Sequence, residues 1–222
     1  MKKLLQGIIE FRQKVLPDYR ETFTKLASGQ TPDSLFIACS DSRVVPNLFA
    51  STNPGDLFVV RNVGNLIPPC DSNGVSTADE SEAAAIEFAV QTLQVRDIIL
   101  CGHSECGAIQ ALIQGREHVT TPNLRAWLRH AERSLPKKGD NLLVEGPKEH
   151  HNFVSQLNVL QQIAHLKTYP SVQARTKEGK LRLHGWWFEL STANVYAYED
   201  RLKRFVLIDE VEAERILKAL TT

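Results

Sequence analysis

The chain has 222 residues, of which 42% are hydrophobic and 23% charged, which suits a single well-filled core. Its 26 Lys and Arg balance 26 Asp and Glu without a long block of either sign, which argues against nucleic acid or an anionic membrane as a partner. The apolar run after Met1-Lys2-Lys3 breaks at Gln6 and Glu10 without a cleavage pattern, and no stretch approaches the ~18 apolar residues of a membrane span, so a soluble, cytoplasmic protein is expected.

In chain order, residues 4 to 27 carry helical periodicity through Leu5, Ile8, Ile9 and Val15, break at Pro17 and resume through Phe23 and Leu26. Such an amphipathic arm needs a cover, from its own domain or from a second subunit. The apolar runs Leu35–Ala38, Leu57–Val60 and Asp97–Cys101 predict buried parallel strands, with helices over 82–93 and from Gly107 to Ile113. Further helices are expected over 123–135 and 152–166, with a loop from Gly139 to Pro147 between them. Strands follow at 181–190 and 195–198 around a turn at 191–194, then a strand at 205–208 and a terminal helix over 210–220. The alternation predicts an α/β fold with a mostly parallel central sheet, helices on both faces and an N-terminal helical arm. One domain is expected, with the arm at 1–28 and the core at 35–222.

Chemistry concentrates at two strand ends. Cys39-Ser40-Asp41-Ser42-Arg43 closes the first apolar run, and His103-Ser104-Glu105-Cys106 follows the third, after a Gly102 expected to allow a sharp turn. In an open α/β sheet such ends converge. Two thiolates and one imidazole form a soft set suited to Zn²⁺, with no fourth Cys or His to close it, as in catalytic sites. Asp41 could take the fourth position in a closed form, or be held off it by Arg43 and accept a hydrogen bond from zinc-bound hydroxide. Cys70 and Cys101 read as spare buried thiols, with a redox role as the alternative. His150 and His151 read as an exposed polar turn or a proton relay, and His118, His130, His165 and His184 as packing or surface residues.

Three blocks resemble a β-class carbonic anhydrase of the bacterial, plant-like subgroup: Cys39 to Val44, Pro54 to Asn62, and Gly102 to Gly107. The likeness runs in family order from about residue 4 to 208. It implies reversible hydration of CO2 to bicarbonate and a proton, a lyase reaction run by zinc hydroxide, with one Zn²⁺ per subunit on Cys39, His103 and Cys106. Asp41 and Arg43 match the catalytic dyad. Gln30 matches a glutamine that reaches a neighbouring subunit's pocket; Phe58, Val63 and Phe88 match its apolar lining, and Gly107 supplies a backbone amide. The resemblance also implies a homodimer embraced by the N-terminal helices, or a homotetramer of such dimers. One subgroup binds inhibitory bicarbonate with Trp, Arg and Tyr; Arg61 is present here, but Phe36 and Phe188 replace the aromatic partners, which favours an open, water-bearing zinc. The alternatives are a non-catalytic zinc scaffold or redox sensor, and the same site acting on carbonyl sulfide or carbon disulfide.

Overall fold

The structure, a computed structural model, describes residues 1–136 and 146–220. Helix α1 (Lys2–Glu10) runs through a widened turn at Phe11–Val15 into α2 (Leu16–Leu26). Pro17 sits in the first turn of α2, where no amide donor is needed. In a straight helix residues 11 and 23 would stand about 18 Å apart. The rings of Phe11 and Phe23 nevertheless meet at 6.4 Å, so the arm bends between them, close to the expected break. Neither helix buries a residue, and Leu4, Leu5, Ile8 and Ile9 are all more than half exposed.

Strands β1 (Ser34–Cys39), β2 (Leu57–Asn62), β3 (Asp97–His103), β4 (Arg182–Glu189), β5 (Asn194–Glu199) and β6 (Arg204–Leu207) form one sheet in the order β2-β1-β3-β4-β5-β6. The first four pair in parallel, and β5 and β6 are added antiparallel through tight turns. Continuous apolar runs in β1 and β3 reflect burial on both faces, the usual reason such strands do not alternate.

Between the strands lie α3 (Pro46–Phe49), α4 (Glu80–Glu87), α5 (Gly107–Ile113), α6 (Pro122–Trp127), α7 (Pro147–Leu166) and α8 (Pro170–Lys177), and α9 (Glu210–Leu220) follows β6. One sheet face, with Leu35, Ile37, Ile98 and Leu100, packs against α4, α7 and α8. The other, with Phe36, Ala38, Ile99 and Phe188, is closed by Val44 and by Phe49 of α3. Helices therefore flank both faces, unequally. The loop expected from Gly139 to Pro147 lies largely outside the described residues; Pro147 itself opens α7. No expectation covered α3, which is only four residues long, or α8, whose only buried side chain is Val172.

Gly102 corrects one expectation. It continues β3 rather than turning the chain, and a Cβ there would lie 2.6 Å from Val159 Cγ2. Glycine is required because α7 lies directly on the strand. The inward face of α7 is mixed: Val154, Val159 and Leu166 are buried, while Leu157, Leu160 and Ile163 are half-buried. Its buried positions include His151, Ser155, Asn158, Gln162 and His165.

Two buried histidines make folding pH-sensitive. Burial pushes His130 down to about 4 and lowers His165 as well. A folded value below the unfolded ~6.5 means that stability is full above pH 6.5 and is lost as pH falls through the folded value. Wild type should lose about 2–3 kcal/mol between pH 7 and 4 through His130 alone. Urea midpoints for wild type and His130→Gln check this: the difference between the two proteins should change across that window, and a constant difference refutes it.

Candidate metal centre

Both motif halves end central parallel strands. Cys39 is the last residue of β1 and His103 the last of β3; the strands are adjacent, with Ala38 opposite Cys101, so residues distant in sequence meet. The ligand atoms of Cys39, His103 and Cys106 lie within 4.8 Å of one another, and all three residues are buried. The sulfurs are 4.0 Å apart. That is far beyond a disulfide and close to the ~3.8 Å expected of two thiolates on one tetrahedral zinc.

The histidine is oriented for the same purpose. His103 Nδ1 lies 2.8 Å from the Ser104 carbonyl, a contact that requires the proton on Nδ1 and leaves Nε2 bare. Nε2 is buried with no hydrogen-bond partner among the described residues. An orphaned imidazole nitrogen facing two thiols fits a metal ion. The sulfur-to-sulfur contact pushes Cys39 down and Cys106 up, so the pair shares one proton that a cation would displace. Cys106 caps α5, and the amides of Ala108 and Ile109 favour its thiolate.

Asp41 stands beside this set, its Oδ2 3.9 Å from His103 Nε2. Arg43 grips it bidentately: Nε donates to Oδ1 at 2.9 Å and a terminal nitrogen to Oδ2 at 2.7 Å, while the Arg43 amide adds a bond to Oδ1 at 3.0 Å. These bonds hold the carboxyl well below the usual carboxylate range. The same guanidinium donates to the Glu105 carbonyl, tying the two motif halves together. Arg61 spends its side chain on the carbonyls of Cys39 and Asp41. Phe36 and Phe188 pack on Phe49 in an apolar cluster. No anion site like that of the bicarbonate-inhibited subgroup is assembled from these three.

The chain brings Val63 and Gly107 to the cluster, since Gly64 N–H donates to Cys39 Sγ at 3.3 Å and Gly107 follows Cys106. It does not bring Gln30, Phe58 or Phe88. Phe58 pairs with Leu35 and Asn62 with Cys39, so Phe58 lies about 13 Å along the strands. Phe88 stacks obliquely on Phe58 at 5.8 Å and is 43% exposed. Exposed Gln30 precedes β1 at that same far end.

Neither spare thiol touches the cluster's ligand set. Cys101 is fully buried, and burial pushes its thiol up; burial raises Cys70 too. His151 is no exposed turn: it is buried in α7 with Nε2 2.9 Å from the Cys106 carbonyl. Alongside it, Asn152 accepts from the Glu105 amide, Ser155 donates to the His103 carbonyl and Asn158 to the Gly64 carbonyl. Sequence reasoning missed these anchors, although polar residues at 151, 155, 158, 162 and 165 follow one helical face. A cavity of about 610 Å³ lies elsewhere, lined by Asp97, His184 and Trp186, and no ligand of the cluster borders it. No described helix is long and apolar enough to cross a membrane.

Residues 34–195 match the family model described as carbonic anhydrase. A carbonic anhydrase from Synechocystis sp. is 39% identical over 208 residues, covering 93% of this chain and 74% of that protein. Among solved structures, the β-carbonic anhydrase CcaA superposes with a TM-score of 0.86 at 38% identity, over 93% of this chain and 98% of that one. One of two tetrameric β-carbonic anhydrases from Sordaria macrospora superposes at 0.73 with 30% identity, over 88% and 95% of the respective chains.

Proposed function

The chain belongs to the β class of the carbonic anhydrase family, and from that premise we propose that Cys39, His103 and Cys106 bind one zinc ion at which CO2 is reversibly hydrated to bicarbonate and a proton. The observation that carries the assignment is the bare, buried Nε2 of His103 facing two sulfurs at zinc spacing. When bound, zinc supplies the Lewis acidity that makes water nucleophilic at mild pH.

The protein's own groups do the rest. Asp41, held ionised and oriented by the bidentate grip of Arg43, would accept a hydrogen bond from the attacking water and turn its lone pair toward CO2. A swing of Asp41 onto zinc would describe a closed, resting form. Val63 offers an apolar wall to a substrate without charge or dipole. A Cβ built on Gly107 would meet nothing within 4 Å, and its first-turn amide has no intrahelical acceptor, which suits it to a bicarbonate oxygen. The proton passes to buffer or to a rim group, not to His151, which is committed to the Cys106 carbonyl.

Gln30, Phe58 and Phe88 lie too far along the strands to serve their own zinc, so we assign them to the pocket of a second subunit. The bare apolar face of α1 and α2 supports a homodimer built on that arm, which could pair further into a tetramer. Ile8→Glu combined with Ile9→Glu should reduce the sedimenting species to the mass of one chain. A full-size oligomer for that variant would remove the arm from the interface.

Metal analysis with stopped-flow CO2 hydration at pH 8.5 tests the function. One zinc per chain with rapid hydration is expected, whereas a zinc-loaded protein with no hydration would leave only a scaffold.

A further inference from the structure

The peptide unit joining Val63 to Gly64 is engaged at both ends. Its carbonyl accepts the indole N–H of Trp127 at 2.7 Å, and its own N–H donates to Cys39 Sγ at 3.3 Å. The next carbonyl, of Gly64, accepts from Asn158 Nδ2 at 3.1 Å. Asn158 cannot flip freely, because its Oδ1 already receives Ser134 Oγ and Gln162 Nε2. Gly64 has φ +83°, and a Cβ there would meet Ala108 Cβ at 3.0 Å, so the position has no room for a side chain. Trp127 is itself seated, its ring edge-on to His130 at 5.5 Å.

We propose that Trp127 is a positioning residue for the metal centre, holding and polarising the Val63–Gly64 peptide so that its N–H tunes the Cys39 sulfur. The inference rests on the reading of Cys39, His103 and Cys106 as zinc ligands. A donor on an amide carbonyl makes the N–H of the same amide a stronger donor. A stronger N–H bond draws charge from the thiolate and fixes its lone-pair direction, as groups behind metal ligands do. A bland packing role for Trp127 would depend on the ring alone; the proposed one depends on Nε1.

The test is Trp127→Phe, which removes the N–H while retaining an aromatic ring, studied as the Co²⁺-substituted and zinc-loaded protein. With a weaker N–H bond the sulfur lone pair rises in energy. The thiolate-to-cobalt charge-transfer band should then move to longer wavelength. Zinc should also pass to a competing chelator at about tenfold lower chelator concentration. Leu128→Ala, at a fully buried neighbour that donates nothing to this peptide, should lower Tm and leave the band in place. If Trp127→Phe does not fold, Trp127→Met replaces it with the same readouts. An unmoved band with an unchanged chelator midpoint in either Trp127 variant, or an equal band shift in Leu128→Ala, overturns the proposal. A wild-type protein that binds cobalt without any thiolate band would overturn the ligand assignment instead.

Discussion

His103→Ala should yield a protein with far less than one zinc per chain and CO2 hydration no faster than buffer. The imidazole supplies the one nitrogen of the set, and its Nε2 has no other partner among the described residues. Two sulfurs and a carboxylate held by Arg43 leave too few ligands for tight binding. Because His103 is fully buried, truncation also opens a cavity, so folding must be checked separately by circular dichroism. His103→Gln, closer in volume, should lose zinc in the same way. Metal content by mass spectrometry and initial rates by stopped flow read the two consequences together. Hydration at the wild-type rate in a zinc-depleted variant would end the metal-centred account.

The second large effect separates holding the metal from using it. Asp41→Asn should keep zinc yet lower kcat by about 10²-fold or more, the weight of a group that orients the attacking water. The amide retains the size of the carboxylate but presents an N–H where an acceptor is needed. Arg43→Ala works from the other side. Without the bidentate grip, the charge on Asp41 has nearby zinc as its best partner, and the closed form should gain at the expense of activity. Zinc should then be retained in both variants while the rate falls. Full activity in Arg43→Ala would show that the guanidinium is not what holds the carboxylate off the metal.

Much of this was legible in the chain, because the informative residues sit at the ends of short apolar runs. Cys39 and His103 each close a buried strand, and in a parallel sheet strand ends are where side chains from distant segments converge. The Asp41–Arg43 pair was readable because two residues' separation lets a turn fold the guanidinium back onto the carboxylate. Other features were hidden for physical reasons. Polar residues on the buried face of α7 look like an ordinary solvent face, since their partners are backbone groups that no side-chain pattern reveals. Gly102 reads as a turn signal, while its task is to admit Val159 against the strand. Phe58 and Phe88 carry the right apolar character, but strand register, which the apolar pattern does not reveal, sets Phe58 four residues along the strands from Cys39.

The seat of α7 on β3 has a consequence for how this protein can change. A side chain at residue 102 would lift the helix, and with it Ser155 and Asn158, whose bonds reach the His103 carbonyl and the carbonyl of Gly64, whose amide touches Cys39 Sγ. Catalytic geometry and tertiary packing there are one variable. Adaptation to heat or salt should therefore accumulate on the β5–β6 hairpin, which can drift without moving a ligand atom.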